Sequence, residues 1–73
     1  MAAIEVTSVV TGSVSRIEAR VGQRLEPGDT IMVIESMKME IPVIAEDGGV
    51  LKELHVAAGV AVTENQVVAL IEE

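Results

Sequence analysis

The sequence predicts an all-β fold of seven or eight short strands in two sheets, and three observations support this. Val, Ile and Leu make up 24 of the 73 residues, and 20 of these are β-branched, which favours strands over helices. Apolar positions often recur at a spacing of two, and helical spacing is sustained nowhere. The chain also repeats internally. We therefore expect a β-sandwich or flattened barrel, which would remove most exposed strand edges.

The repeat is found by shifting the sequence 37 positions against itself, which aligns residues 1–36 with 38–73 without a gap. Gly12 then falls on Gly49, and Gly22 on Gly59. The other identities are Ile4 with Ile41, Val6 with Val43, Ile34 with Ile71 and Glu35 with Glu72. The glycines matter most, because Gly marks a backbone position rather than a composition. The chain 1–73 is thus predicted to be one domain made of two copies of a β unit, related by an approximate two-fold axis.

Each copy is predicted to contain the same four elements in the same order: a short strand, a strand that begins with Gly, a turn with a loop, and a final strand. In the first copy these are AIEV, GSVSRIEA, VGQRLEPGDT and IMVIE; in the second they are EIPV, GVLKELHV, AGVAVTENQ and VVALIE. Pro27 and Gly28 fit the central positions of a type II turn. Pro42 has no N–H, so its strand must be an edge strand there or Pro42 must face away from its neighbour.

Composition excludes several classes of protein. The chain has no Cys, so it has neither disulfides nor thiolate zinc ligands. It has no aromatic residue and a net charge of −7, which argues against nucleic acid and anionic membrane surfaces as partners. No apolar run approaches the ~20 residues needed to span a bilayer. The first residues, MAAIEVTS, lack the features of a signal peptide, so a cytoplasmic location is expected.

The segment ESMKME, residues 35–40, lies between two apolar strand-like segments and must reverse the chain without Gly, Asn, Asp or Pro. If Met37 and Lys38 form a two-residue loop, Glu35 faces Glu40, which adds like-charge repulsion. Two-residue hairpins favour positive φ, which costs Met and Lys roughly 1–2 kcal/mol each. Residues that are unfavourable for the turn they form, and like charges that face each other, indicate that function selected this segment.

Three interpretations of Lys38 remain open from the residues alone. A lysine on an exposed turn is ordinarily only a solvated charge, and methionines ordinarily fill gaps in a core. A nucleophilic amine needs burial or a nearby cation, whereas Glu35 and Glu40 favour the ammonium form. The third interpretation is an accessible amine that a modifying enzyme acylates. His55, the only histidine, is more typical of the polar face of a strand, and the sequence predicts no catalytic and no metal-ligating residue.

The segment ESMKM resembles the biotin attachment motif of biotinyl domains, in which a lysine lies between two methionines at a hairpin tip. The similarity continues over VGQRLEPGDTIMVIESMKMEIPVIAEDGGVLKELHVAAGVAV, about three-fifths of the chain, and 35 residues follow the lysine. The resemblance is to the biotinyl/lipoyl attachment family, and most of all to small stand-alone attachment proteins and thumbless biotin carboxyl carrier subunits.

This resemblance implies a flattened β-barrel, a barrel-sandwich hybrid of two four-stranded antiparallel sheets with quasi-two-fold symmetry. It implies that Lys38 carries covalent biotin, and that Met37 and Met39 favour carboxyl transfer and recognition by biotin protein ligase. Glu35 and Ser36 complete the motif. The protein would be a carrier rather than an enzyme, shuttling carboxylate between biotin carboxylase and carboxyltransferase sites.

Two departures from the family pattern stand out. The family often has Pro-Met before its first glycine, where this chain has Val9, Val10 and Thr11 ahead of Gly12. The spacing Gly12 to Gly22 equals that from Gly49 to Gly59, so the thumb insertion of multisubunit bacterial acetyl-CoA carboxylase carriers is absent. The first alternative is a lipoyl or dual biotin/lipoyl carrier, although lipoyl domains usually have Asp-Lys-Ala around the lysine. The second is an unmodified interaction or structural domain.

Overall fold

The computed structural model describes residues 2–73, which form eight β-strands and no helix. The strands are β1 (Ala3–Thr7), β2 (Gly12–Ile17), β3 (Arg24–Leu25), β4 (Thr30–Ser36), β5 (Met39–Ile44), β6 (Gly49–Leu54), β7 (Ala61–Val62) and β8 (Val67–Glu72). Two four-stranded antiparallel sheets result, in the orders β1-β8-β6-β3 and β5-β4-β2-β7. This confirms the predicted fold class.

The two sheets are equivalent to each other in strand order and in their irregularities. A shift of 37 residues carries β1 to β4 onto β5 to β8, and it converts one sheet order into the other. Register slips occur at Ser15 in β2 and at Lys52 in β6, which correspond under the shift. The slips at Ile31 in β4 and Val68 in β8 correspond in the same way. Because a bulge bends its strand and increases the twist, matched bulges curve both sheets alike.

The core lies between the sheets and consists of aliphatic side chains from both. The largest fully buried apolar side chains are Leu25, Ile31, Met32, Ile34, Leu51, Ile71, Val14, Val43 and Val68. Central strand β4 buries four successive residues; its bulge brings both Ile31 and Met32 into the core cluster with Ile34, whereas Val33 is buried outside that cluster. The short strands β3 and β7 each contribute one buried side chain, Leu25 and Val62.

Both proline positions fit the sequence analysis. Asp29 N–H donates to Glu26 C=O at 3.0 Å and Gly28 has a φ of +95°, as a type II turn requires. Pro42 lies on β5, an edge strand that pairs only with β4. A proline on an edge strand causes no loss of ladder hydrogen bonds when its nitrogen faces outward.

Gly12 and Gly49 allow neighbouring backbones to approach more closely than any other residue would permit. A Cβ on Gly12 would lie 2.2 Å from the carbonyl oxygen of Glu35 and 3.1 Å from Cγ2 of Ile34. A Cβ on Gly49 would lie 2.7 Å from the carbonyl oxygen of Glu72 and 2.7 Å from Cγ2 of Ile71. Both contacts are equivalent under the 37-residue shift, so each copy of the repeat depends on a glycine at the start of its second strand, β2 or β6.

We expect Gly12→Ala to lower the free energy of unfolding by about 1–3 kcal/mol, the usual cost of overpacking a closely packed site. The added methyl group would force β2 away from the end of β4. Gly48→Ala is the matched control, because its Cβ would meet its nearest atom, the Leu25 carbonyl oxygen, at 3.2 Å. Urea denaturation of both variants measures the difference, and equal losses would contradict the steric account.

Candidate functional site

The β4–β5 hairpin has Met37 and Lys38 as its two loop residues. Ser36 is opposite Met39 and Glu35 is opposite Glu40, the register expected for a two-residue loop. Met37 has a φ of +52° and Lys38 a φ of +65°, as in a type I′ turn, whose twist matches that of the strands. Neither side chain relieves the cost of positive φ as Gly or Asn would.

The tip of the hairpin presents its side chains to solvent. Met37 is 92% exposed and Met39 is 63% exposed, so neither methionine fills a gap in the core. Lys38 is also exposed, and within residues 2–73 its ammonium makes no salt bridge. The other lysine, Lys52, lies on β6 with its Nζ 3.3 Å from Oε2 of Glu72. Lys38 is therefore an accessible amine on an ordered hairpin.

A hydrogen bond holds the base of the hairpin to a neighbouring loop. The hydroxyl of Ser36 donates to the carbonyl oxygen of Thr11 at 2.9 Å. The hydroxyl oxygen of Thr11 in turn accepts from the backbone N–H of Glu64 at 2.9 Å. The hairpin, the loop before β2 and the loop before β8 are thus tied together at one end of the molecule. Ser36 was singled out as a motif residue, and the structure gives it this additional structural contact.

Arg16 on β2 reaches across β4 to the hairpin. Its Nη1 lies 3.2 and 3.3 Å from the two carboxylate oxygens of Glu40, and its Nε donates to Oε2 of Glu18 at 2.7 Å. The hydrogen bonds to Glu18 and then Glu40 raise the pKa of Arg16. The guanidinium therefore offsets the repulsion between the facing carboxylates Glu35 and Glu40. Sequence analysis missed Arg16, because only the sheet order shows that β2 and β5 flank β4.

His55 lies outside the hairpin site. Its Nε2 is 2.8 Å from Oε1 of Glu53 on β6, and the two side chains are 39% and 50% exposed. Among the described residues no group of His, Asp and Glu is arranged to hold a metal ion. No helix in residues 2–73 is long and apolar enough to cross a membrane. Of the residues singled out from the sequence, Glu35, Ser36, Met37, Lys38 and Met39 thus lie together on one hairpin.

Comparisons with known proteins agree with this geometry. Residues 2–71 match the Biotin_lipoyl family model, described as "Biotin-requiring enzyme". The chain is 34% identical over 58 residues to the biotin/lipoyl attachment protein of Bacillus subtilis, covering 80% of each chain. It is 40% identical over 67 residues to the biotin-dependent acyl-coenzyme A carboxylase alpha3 subunit of Mycobacterium leprae, covering 92% of this chain and 11% of that subunit.

Among solved structures, the urea carboxylase of Kluyveromyces lactis superimposes with a TM-score of 0.93 at 32% sequence identity. The match covers 99% of this chain and 6% of the carboxylase. The chain thus spans a small part of the Mycobacterium subunit and of the Kluyveromyces carboxylase, and most of the Bacillus attachment protein. Because the family model covers nearly the whole chain, the protein belongs to the family of biotinyl and lipoyl attachment domains.

Proposed function

We propose that the protein is a biotin carboxyl carrier domain that is acylated on Nζ of Lys38. One observation carries the proposal: the hairpin tip presents a solvent-exposed amine, without a salt bridge among the described residues, between two exposed methionines. A purely structural hairpin would favour Gly or Asn at these positive-φ positions. The residues at the tip therefore suit recognition by another protein better than they suit the turn itself.

The residues present fit covalent biotin. An exposed primary amine can form an amide with a carboxyl group that a biotin protein ligase has activated; the amine loses a proton and the activating group leaves. The base of the hairpin is held by the hydrogen bond from Ser36 to Thr11 and by the ion pair of Arg16 with the carboxylate of Glu40. When attached, biotin supplies a nitrogen that can carry a carboxyl group. The chain itself supplies attachment, exposure and a fixed base.

The motif residues have separate roles in this proposal. Met37 and Met39 offer flexible apolar surface to the ligase and to the carboxylase active sites, as methionine does at many binding surfaces. Glu35 gives the ligase a carboxylate three residues before the lysine. Ser36 fixes the orientation of the hairpin through Thr11.

The domain would act as a carrier, with biotin carboxylase and carboxyltransferase as its partners. Tethering the group to Lys38 raises its effective concentration at both sites and removes the need for diffusion of a free carrier. Two similar proteins support this role by their names. The Mycobacterium relative is a subunit of a biotin-dependent acyl-coenzyme A carboxylase, and the Kluyveromyces structure is that of a urea carboxylase. A net charge of −7 would favour partners with basic docking surfaces.

Lipoylation of Lys38 is the second candidate, and the name of the Bacillus relative, a biotin/lipoyl attachment protein, includes both groups. The methionines on both sides of Lys38 favour biotin, because lipoyl domains usually have Asp and Ala there. The fold itself serves both groups equally. Discrimination therefore lies in the side chains at the tip.

Incubation with biotin, ATP and a bacterial biotin protein ligase should raise the intact mass by one biotinyl group. Lys38→Arg should abolish the increase, since the guanidinium does not form the amide. Lys52→Arg is the matched control: it replaces the other lysine and should leave the increase unchanged. An unmodified wild-type protein, or loss of modification in Lys52→Arg alone, would overturn the assignment.

In a second experiment a biotin protein ligase and a lipoyl ligase compete for the same protein with both acids supplied. We expect the biotinyl product to predominate in the mass spectrum. The double variant Met37→Asp with Met39→Ala should shift the product towards lipoyl. Predominance of the lipoyl product on the wild-type protein would favour the second candidate.

Met37→Asn should raise the free energy of unfolding by about 1 kcal/mol, because Asn tolerates the left-handed backbone better than Met does. The same change should reduce kcat/KM of the biotin ligase. Met39→Asn is the control, since residue 39 lies on β5, where Asn is unfavourable and no gain in stability is expected. Urea denaturation and steady-state ligation measure the two effects, and a less stable Met37→Asn protein would contradict the strain argument.

A further inference from the structure

A groove opens along the edge strands β1 and β5, one from each sheet. Its volume is about 150 Å³, roughly that of an apolar protein cavity that binds benzene. The apolar lining includes Ile4, Val6, Val43 and Ile44, and Ile44 remains 42% exposed. The groove therefore has room for one apolar side chain of the size of Leu or Phe.

The rim of the groove is anionic. Glu5, Glu46 and Asp47 line it, and no Lys or Arg does. Within residues 2–73 none of these three carboxylates makes a salt bridge, whereas Arg16 and Lys52 pair with carboxylates elsewhere. An apolar floor with an unneutralised acidic rim is complementary to an apolar side chain flanked by Lys or Arg.

Strand β1 also offers backbone hydrogen-bonding groups on its outer edge, which borders the groove. Glu73 N–H donates to Ala2 C=O at 3.1 Å, so the facing pair Ala3 and Glu72 is not itself hydrogen-bonded. Because bonded and non-bonded pairs alternate along an antiparallel ladder, the Glu5–Leu70 pair is non-bonded as well. The backbone N–H and C=O of Glu5 thus face away from β8.

The equivalent position on β5 is closed to pairing. A two-residue hairpin closes with a bonded pair, here Ser36 and Met39, so the Val33–Pro42 pair is non-bonded. Pro42, which corresponds to Glu5 under the 37-residue shift, would direct its N–H outward but has none. Of the two equivalent positions Glu5 and Pro42, only Glu5 on β1 has an outward backbone donor, as an edge that accepts a strand requires.

We infer that this groove binds an extended, basic segment of a partner protein by strand addition to β1. The backbone of the segment pairs with the N–H and C=O of Glu5. One apolar side chain enters the groove, and flanking Lys or Arg side chains lie against Glu46 and Asp47. Main-chain pairing supplies affinity and the groove supplies specificity, as in other cases of β-augmentation. Lys38 takes no part, so this binding is independent of its modification.

The experiment uses the unmodified protein of residues 1–73 and the capped peptide KVKLKVK as the probe. Binding is followed by ¹⁵N chemical shifts and by calorimetry at two salt concentrations. We expect shift changes at residues 4–7 and 43–47, and weaker binding at the higher salt concentration. Peptide KVKSKVK, which has the same charge without the central apolar side chain, should bind about tenfold less tightly, as expected for an unfilled apolar pocket.

Variants separate charge from backbone pairing. Glu46→Gln should weaken binding about threefold, the scale of an exposed ion pair. Glu5→Gln should have a similar effect, and Glu5→Pro should weaken binding about tenfold further by removing the outward N–H. Glu5→Pro should fold, since Pro42 occupies the equivalent position, and its ¹⁵N spectrum verifies this. Glu53→Gln, which removes a carboxylate from β6 outside the groove, should leave binding nearly unchanged.

Two kinds of result would overturn the inference. The first kind is equal affinity for KVKLKVK and KVKSKVK, or equal weakening in Glu53→Gln and Glu46→Gln, since either would mean attraction by net charge alone. The second is self-association of the peptide-free protein with shift changes at the groove, because a second copy would then be the occupant. Neither result bears on biotinylation of Lys38, which the mass experiment tests separately.

Discussion

The close approach of Gly12 to the carbonyl of Glu35, and of Gly49 to that of Glu72, is the constraint on which the rest of the fold depends. With no Cβ at these positions, β2 can lie against the end of β4, and β6 against the end of β8. The matched bulges then curve both sheets in the same way, so that two small aliphatic faces close on each other. A chain with no aromatic residue and no disulfide obtains its core through this close packing.

The same contact determines the geometry of the hairpin. Strand β4 ends at Ser36, directly before the two loop residues. The carbonyl oxygen of the preceding residue, Glu35, lies against Gly12. Ser36 adds its bond to Thr11, and Arg16 reaches Glu40 from the other side of β4. Strained positive-φ residues persist where the surrounding structure fixes them, and Met37 and Lys38 meet that condition. The backbone of the tip therefore has a fixed conformation, while its side chains remain exposed to solvent.

Much of this could be predicted from the sequence, because the signals were local or periodic. The β-branched composition and the aligned glycines predicted the strands and the two related sheets, and the spacing around Met37 and Lys38 predicted the hairpin register. Strands β3 and β7 were predicted as turn and loop, since two residues with one buried side chain leave no periodicity to detect. The contacts of Arg16 with Glu40 and of Ser36 with Thr11 join residues 24 and 25 positions apart, and only the sheet order brings them together.

The pair Glu35–Glu40 of the hairpin and the pair Ala3–Glu72 occupy equivalent positions in the two sheets. The two pairs nevertheless lie far apart. Thr11 and Glu64 place the start of β8 at the hairpin end, and six residues of β8 then lead about 20 Å away from it. Polypeptide joined at the Ala3–Glu72 end, or a partner strand on β1, would hold the domain without covering Lys38. The carrier role proposed above requires the domain to be retained near its partners while the acylated lysine moves between them. In this chain of 73 residues, the surfaces that would retain the domain, the Ala3–Glu72 end and strand β1, are separate from the hairpin, so both requirements can be met.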